Sequence, residues 1–320
     1  MKRNRFVLLL YTLASLSLLN AHSFAQIGSS PGAYSRMGFG SRGIGMGNAF
    51  IAMTTGDLNG YYNPAAVPFS KVRSAVISFG LLDLDRSLNF LGYTQSLRGT
   101  AGISAGIINS GVSDIDGRDG DGEQTGPLRT AENQIFLSFG TQIKSRLGIG
   151  VSLKFLHSHL YTDVTSTTVG IDFGAIYVVD DDISVGLVVK DINSKYAWDT
   201  SPIYGQSGGK REDEFPLRIG AGVSWKLPDS IGIVSLDIEG TNKKTIQMRA
   251  GIEIPIIPDV FVRAGIDRVD LKESGAGVKP SIGFSIQRNI DDWVPSIHYV
   301  FVLEPFTNSG IHVISLSANF

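Results

Sequence analysis

The sequence contains no cysteine, and charged residues are scarce. Without cysteine the chain forms neither a disulfide scaffold nor a cysteine-ligated metal site. Asp, Glu, Lys and Arg make up 18% of the 320 residues, below the about 25% of an average soluble domain. The 28 basic residues do not outnumber the 30 acidic ones, so there is no positive excess to neutralise nucleic-acid phosphates. We therefore expect no nucleic-acid partner.

Long hydrophobic runs are also missing beyond the N-terminus. After residue 25 the chain has no stretch of about eighteen uncharged apolar residues, which argues against a helical membrane protein. A hydrophobic content of 42% is nevertheless too high for a disordered chain. Glycine is abundant, with 38 residues, above the average usage of about 7%. The apolar residues are thus dispersed along the chain, and their spacing becomes the informative feature.

The first 25 residues have the pattern of a secretory signal peptide. A basic start is followed by an apolar core at residues 7–19 and by a small-x-small cleavage site that ends at Ala25. A membrane anchor is the alternative, but an apolar core of this length is too short to span a bilayer comfortably. We predict that residues 1–25 are a signal peptide, cleaved near Ala25 during export.

From about residue 74 onward, apolar residues recur at every second position. Between residues 147 and 155 every odd-numbered residue is apolar, and the residues between them are Gly148, Gly150, Ser152 and Lys154. This alternation indicates a strand with one apolar and one polar face. Fourteen segments follow the pattern, with slips in the second, third and ninth. They lie near residues 74–82, 87–97, 99–109, 131–144, 147–160, 164–179, 182–193, 214–226, 230–240, 244–255, 259–268, 278–289, 293–304 and 310–320.

The number and length of these segments predict an all-β transmembrane barrel of about 14 antiparallel strands over residues 74–320. Membrane barrels of bacteria have an even number of strands of about 9–11 residues. The alternative, a soluble β-sandwich, has strands that average about 5–6 residues. The predicted long connections, residues 110–130 and 194–213, both fall at one end, as expected for outside loops. We expect both termini on the periplasmic side and a location in the outer membrane of a Gram-negative-type bacterium, in contact with its lipid.

The last strand ends in an aromatic residue, Phe320. An alternating strand with a terminal aromatic resembles the C-terminal signal by which outer-membrane barrels are handed to the β-barrel assembly machinery. The resemblance implies that Phe320 is part of an assembly signal and that this machinery is a partner.

Residues 26–73 form a glycine-rich segment ahead of the barrel, which we predict to be a hatch or plug inside it. Glycine allows tight folding and close approach to other backbone, and Asn63 before Pro64 favours a turn over a helix. The alternative is a flexible leader. The segment carries a motif of small, polar and proline residues, namely Gly45, Met46, Gly47, Asn48, Asp57, Asn63, Pro64 and Ala65. This motif resembles the start of the FadL superfamily of outer-membrane barrels and, within it, the PorV/PorQ branch.

The resemblance implies an N-terminal hatch within a 14-stranded barrel and two functions. The first is a non-enzymatic component of type IX protein secretion that binds secretion-system subunits and cargo. The alternative is a FadL-like channel for the uptake of hydrophobic small molecules. Two observations argue against the channel, because the chain is short for a fatty-acid transporter and the inward faces read as polar.

Eight charged residues fall on the inward face by alternation. They are Lys154, Asp172, Lys190, Arg218, Arg249, Glu253, Arg263 and Asp267. Because they carry both signs, we expect them to pair across the interior, which keeps buried charge satisfied. They form either a charged conduction path or a structure that holds the hatch. No cofactor, metal site or catalytic residue is predicted. In the acidic loop at residues 114–123, Arg118 interrupts an EF-hand-like order, which favours a solvated loop over a calcium site.

Overall fold

The computed structural model describes residues 30–56, 58–97, 99–161, 163–271, 277–305 and 310–320. The predicted signal peptide and the motif residue Asp57 lie outside the described residues. Within the described ranges, no helix is long and apolar enough to cross a membrane.

The alternating segments form strands, and the described residues contain sixteen of them. Their bounds are β1 Ser74–Leu81, β2 Arg86–Ser96, β3 Ala101–Arg118, β4 Gln124–Lys144, β5 Leu147–Tyr161, β6 Val164–Val178, β7 Ile183–Ile192, β8 Lys195–Asp199, β9 Lys210–Glu214, β10 Arg218–Lys226, β11 Ile233–Thr241, β12 Ile246–Ile257, β13 Val260–Asp270, β14 Lys279–Gln287, β15 Val294–Leu303 and β16 Gly310–Asn319.

Fourteen of these strands close into one antiparallel barrel, as the alternation predicted. The first and last strands pair along their whole length, from Ser74 opposite Asn319 to Leu81 opposite His312. Strand β7 pairs directly with β10, because β8 and β9 form a separate two-stranded sheet between them. Closure removes the free edges of the sheet, which is what a strand-built wall needs in lipid, where unpaired backbone groups have no water to bind.

The two long connections differ from the predicted loops. Strands β3 and β4 continue through most of residues 110–130 as a hairpin, and Ile115 still pairs with Leu128 beyond the barrel rim. Residues 194–213 contain β8, a short helix at Ser201–Tyr204 and most of β9. The β3–β4 extension is largely exposed, so neither of its faces needs apolar residues, and β8 has only five residues, of which Tyr196 is buried. That is why the alternation did not detect them.

The exterior of the barrel is apolar and most of its interior is polar or small. Large hydrophobic side chains are exposed on strand after strand, among them Phe79, Leu91, Leu137, Phe155 and Leu187. Serine, glycine and charged side chains occupy most of the buried inward positions. A lipid-facing exterior of this kind explains the low charge content, since Lys and Arg cost about 2–4 kcal/mol at mid-membrane.

The hatch, described over residues 30–56 and 58–73, lies inside the barrel. It consists of short helical pieces joined by turns, and nearly all of its residues from 31 to 53 are buried or half-buried. The helical pieces are Ala33–Arg36, Gly40–Gly45, Asn59–Tyr62 and Pro64–Phe69.

The hatch runs the length of the lumen. At its start Pro31 lines a cavity with Trp198 of β8, at the end that carries the long connections, which we call the outer mouth. At its finish Lys71 lines the opposite, periplasmic cavity. The expectation of two periplasmic termini is therefore wrong for the described start of the chain, because the hatch traverses the lumen before the first strand begins.

Candidate functional site

One side of the lumen wall carries most of the large apolar side chains that face inward. We call it the apolar half; it is formed by β15, β16 and β1 to β4. Small or uncharged polar side chains share this face with them, and the buried inward apolar side chains are Val76, Leu88, Phe90, Ile108, Phe136, Val300, Val302, Ile311 and Val313. The expectation of uniformly polar inward faces is wrong here. These strands carry apolar residues on both faces, for example inward Phe90 beside outward Leu91, so the alternation slips in the second and third segments.

Aromatic residues of the hatch pack against the apolar half. Phe39 lies at the centre, with ring centroids 4.8 Å from Phe90 and 5.6 Å from Phe136, the latter edge to face. Tyr61 stands 5.1 Å from Phe39 on the hatch itself. Offset and edge-on aromatic pairs contribute about 0.5–1.5 kcal/mol beyond the area that they bury. This contact is therefore a continuous apolar layer between the hatch and the wall.

The opposite side of the wall, formed by β5 to β7 and β10 to β13, carries a ladder of ion pairs. We call it the charged half. Lys154 pairs with Asp172 at 2.5 Å and also with Asp191. Asp191 binds Arg218 at 2.7 Å, and Arg218 lies 3.6 Å from Glu239.

The ladder continues through Arg249, which binds Glu239 at 3.0 Å and Asp267 at 2.8 Å. Side-chain exposure is below 10% in every one of these pairs. Removing one partner of such a buried pair leaves an uncompensated charge, which costs about 3–5 kcal/mol. Among the described residues, no group of three or more His, Asp or Glu side chains is arranged to hold a metal ion.

The ladder brings together five of the predicted lumen charges, Lys154, Asp172, Arg218, Arg249 and Asp267. It also contains two residues that the alternation missed. Asp191 was counted as outward, but it has a left-handed φ of 63° and lies where the β6–β7 register shifts, so its side chain turns inward. Glu239 lies in the ninth segment, where the pattern slips. Asp237 and Glu239 are two residues apart, so an alternating strand places both side chains on the same face. This spacing is the feature of the sequence that could have identified Glu239 as inward, as the buried Asp237 is.

The remaining predicted charges contact the hatch. Arg42, on the helix Gly40–Gly45, donates to both carboxylate oxygens of Glu253 at 2.7 and 2.8 Å. Arg263 donates to the same carboxylate from the wall. Lys190 donates to the carbonyl of Tyr61 at 2.8 Å, and its ammonium lies 5.1 Å from the centre of that ring. Glu253 and Lys190 therefore contact the hatch directly, and Arg263 contacts it through the shared carboxylate of Glu253.

The motif residues Gly45 to Asn48 lie against the inner surface of the barrel wall, where two glycines of neighbouring strands face each other. Gly251 and Gly265 are opposite each other on β12 and β13. A Cβ atom on Gly265 would lie 2.0 Å from the backbone nitrogen of Gly47, and one on Gly251 would lie 2.2 Å from the carbonyl oxygen of Met46. Only glycine leaves room for such a contact, so this pair is a seat for the hatch backbone.

Asn48 links the same motif to the charged half. Its amide nitrogen donates to Asp267 at 3.1 Å and to the carbonyl of Met37 at 3.2 Å. Its amide oxygen accepts the Tyr62 hydroxyl at 2.8 Å. Nearby, the buried carboxylate of Asp237 accepts the backbone N–H groups of two further hatch residues, Phe50 and Ile51, at 2.8 and 3.0 Å.

The Asn63-Pro64-Ala65 motif occupies a second glycine seat. The Asn63 side chain accepts the backbone N–H of Ala65 at 3.0 Å, which caps the short helix that follows, and donates to the carbonyl of Ile51 at 2.8 Å. A Cβ atom on Gly150 would lie 2.4 Å from the backbone of Pro64. The motif residues at 45–48 and 63–65 therefore lie where the hatch contacts the wall.

The hatch separates two large cavities. The outer cavity has a volume of about 720 Å³ and is lined by Glu132, Tyr196 and Trp198. Burial raises the pKa of the Tyr196 hydroxyl, which stays neutral and donates to Glu132 at 3.0 Å. The periplasmic cavity has a volume of about 520 Å³ and polar walls that include Arg42 and Lys226. Three smaller cavities between them measure about 20–30 Å³ each, and the described hatch fills the lumen around them.

Phe320 lies at the periplasmic rim, where the barrel closes. Its ring stacks on Trp293 at 5.1 Å, with an angle of 22° between the planes. Its backbone exchanges two hydrogen bonds with Arg73, at 2.9 and 3.2 Å. The terminal residue thus joins the first and last strands, and its role as an assembly signal stays a prediction.

Comparison with known proteins identifies the fold. No family model and no curated protein matches the sequence. The chain is similar in structure to the CymD monoaromatic hydrocarbon channel, with 14% identity, a TM-score of 0.63 and coverage of 88% of this chain and 97% of that one. For the Pseudomonas putida toluene transporter TodX the values are 13%, 0.62, 88% and 96%. For a Pseudomonas aeruginosa FadL homologue they are 10%, 0.57, 88% and 97%.

At such low identity, the likeness concerns the fold alone. The alignments cover 96% or more of each of these neighbours. The chain has the FadL-like fold, a closed 14-stranded antiparallel barrel.

Proposed function

We propose that this protein is a hatch-closed channel of the outer membrane that admits hydrophobic small molecules. The observation that carries the proposal is the apolar half of the lumen. A hydrophobic molecule that enters between Phe90 and the hatch residue Phe39, 4.8 Å apart between ring centroids, exchanges one apolar contact for another. Water and ions gain nothing from the same surface.

The charged half has a different role in this proposal. Its ion pairs are buried, and each charge has a partner. One of these pairs, between Arg42 of the hatch and Glu253 of the wall, holds the hatch in place. The names of the structural neighbours, a monoaromatic hydrocarbon channel and a toluene transporter, support transport over catalysis by analogy of fold. The proposal includes no enzymatic step and no cofactor.

The test is entry of an apolar probe into cells that have an intact lipopolysaccharide outer membrane. Expression of the protein should accelerate the uptake of N-phenyl-1-naphthylamine, followed by its fluorescence, and should leave the entry of a small sugar unchanged. Val300→Thr with Val313→Thr makes the apolar half polar without changing its shape and should slow uptake several-fold. The matched control is Val188→Thr, which changes a buried inward valine on β7. Probe uptake equal to that of cells without the protein would refute the proposal.

A second candidate is the secretion-associated role implied by the PorV/PorQ resemblance, which rests on the hatch motif. The feature that favours it is the β3–β4 hairpin, which extends beyond its neighbours from residue 113 to residue 130 and exposes a polar surface. Replacing residues 113–129 by a short turn tests it in the native host. Loss of cargo secretion with normal probe uptake would support this role, and loss of uptake alone would exclude it.

A further inference from the structure

The hatch is attached unevenly to the wall. Its polar contacts concentrate on the charged half and on β14 beside it, where Ser184 donates to the carbonyl of Ala52 at 2.8 Å and Ser281 to that of Gly45 at 3.2 Å. The bidentate Arg42–Glu253 pair lies in the same region. The two glycine seats described above lie on β5, β12 and β13, and on β3 the hatch backbone also approaches Gly102, where an added Cβ atom would lie 2.9 Å from the carbonyl oxygen of Val67. On the charged half the hatch is held by buried ions and by backbone contacts.

A small serine cluster attaches the hatch to the opposite wall. The backbone N–H of Ser41 donates to Ser315 of β16 at 3.0 Å, and the two hydroxyl oxygens lie 2.5 Å apart. Ser315 also contacts Ser78 of β1 at 2.6 Å. Within the described residues, the hydrogen bonds from residues 30–69 to β16, β1, β2 and β3 all come from Ser41. Neutral hydroxyl contacts of this kind are weak beside buried ion pairs.

Small cavities line up along this weakly attached sector. One of about 20 Å³ lies towards the outer mouth, where Ile44 of the hatch faces Leu88 and Val313 of the wall, and its other side is lined by Asp267 and Lys279, which pair with other charges. A second, of about 30 Å³, lies at the serine cluster and is lined by Phe39 and Val76 among others. The second cavity shares Arg42 and His298 with the large periplasmic cavity. The packing between hatch and wall is therefore interrupted along one line that reaches the periplasmic side.

We infer that the hatch opens along this line. It stays seated on the charged half and moves away from β16, β1 and β2, and the contact between Ser41 and Ser315 is the latch. The inference rests on the proposed function and adds the route and its control. Opening here exchanges apolar contacts for contacts with an apolar molecule and breaks only neutral hydrogen bonds. Opening on the other side would expose paired charges, so the route selects small uncharged apolar molecules.

The absence of cysteine makes a direct test available, because any disulfide in a variant is the engineered one. In S41C/S315C the sulfur atoms replace two hydroxyl oxygens 2.5 Å apart, so oxidation locks the latch. We expect oxidised S41C/S315C to lose uptake of N-phenyl-1-naphthylamine and to regain it on reduction. The matched control, T94C/S104C, joins β2 to β3 through the 2.8 Å contact between their hydroxyl oxygens and leaves the latch and the hatch free, so its oxidation should not change uptake.

A second disulfide fixes the hatch to the charged half. A Cβ atom on Gly45 lies 3.6 Å from the Cβ of Arg263, within the usual range for a disulfide. Oxidised G45C/R263C should take up the probe at the same rate as the reduced form. Loss of uptake in this variant on oxidation, or unchanged uptake in verified oxidised S41C/S315C, would overturn the inferred route.

A variant without a disulfide gives an independent measurement. Ser41→Ala removes the latch hydroxyl and keeps the helix, so uptake should rise several-fold, whereas an unchanged or lower rate would contradict the latch. If the wild-type protein does not accelerate probe entry at all, the proposed function fails. If wild-type uptake is present but neither S41A nor the oxidation of S41C/S315C alters it, the route alone fails.

Discussion

The charged half and the apolar half of the lumen contact the same hatch by different physical means. On the charged half, Lys154, Asp191 and Arg218 belong to a continuous ladder of buried ion pairs, and the hatch backbone rests on facing glycines. On the apolar half, the hatch presents the ring of Phe39 to Phe90 and Phe136. Buried ion pairs demand fixed geometry, whereas apolar contacts are non-directional. In the proposed function, the charged half holds the hatch and the apolar half borders the route of the transported molecule.

The first prediction removes one charge from the attachment side. Asp191→Asn keeps the shape of the side chain and its tolerance of the left-handed backbone but leaves Lys154 and Arg218 short of one negative charge. We expect a loss of about 4 kcal/mol in the free energy of unfolding. Urea unfolding in detergent, followed by tryptophan fluorescence, measures it. A change below about 1 kcal/mol would show that the ladder is not a stabilising unit.

The second prediction removes a ring from the apolar half. Phe136→Ala leaves a void beside Phe39 in a place that is almost fully buried, so stability should fall by about 3 kcal/mol. Uptake of the apolar probe should rise, because the layer between hatch and wall is thinned. The control is Phe139→Ala on the same strand, whose side chain is 44% exposed towards lipid and which should not affect uptake. Faster uptake in the control would remove the distinction between the two faces.

The third prediction fills a glycine seat. In Gly265→Ala the added methyl group meets the backbone nitrogen of Gly47, so the hatch must shift, at a cost of about 2 kcal/mol. Limited proteolysis should then cut within the hatch, while the barrel remains folded on a gel. Gly209→Ala has nothing within 4 Å of the new methyl group and should stay protected. Equal protection of both variants would show that the seat is not tight.

The smallest effect is expected outside the lumen. Asp116 pairs with Arg118 at 2.7 Å on the β3–β4 hairpin, and both side chains are more than half exposed. Because water screens such a pair, Asp116→Asn should lower the free energy of unfolding by less than about 1 kcal/mol. The same urea titration provides the comparison with Asp191→Asn. A loss as large as that of Asp191→Asn would mean that burial does not set the strength of these pairs.

Much of the barrel could be predicted from the sequence because its signal is local. The segment predicted at residues 147–160 is the strand Leu147–Tyr161. Its odd-numbered apolar residues, such as Ile149 and Phe155, lie on the exposed outer face of the barrel. The β3–β4 hairpin beyond residue 110 was missed because a ribbon exposed on both faces has no apolar side. Asp191 was missed because one left-handed residue changes the inward count.

The candidate site was less accessible from the sequence. Inward charges such as Arg249 and Asp267 were identified by position, but their partners depend on register across several strands. The apolar half could not be recognised from the alternation, because neighbouring residues such as Phe90 and Leu91 are both apolar although they face opposite sides of the wall. An alternation search needs a consistently polar face, and on β2 the inward face carries Leu88 and Phe90 beside Thr94.

The sequence by itself determined that the chain is a closed barrel with an apolar exterior, because side chains alternate across every strand at the period of the backbone pleat. The sequence also contains the inward glycines and the hatch motif, which contact each other in the folded protein. Only the tertiary structure decided that the lumen has two unlike halves and that the hatch is fastened to one of them. Those properties depend on which strands become neighbours after closure and on where the hatch lies against them. A two-residue period in the sequence contains no information about either.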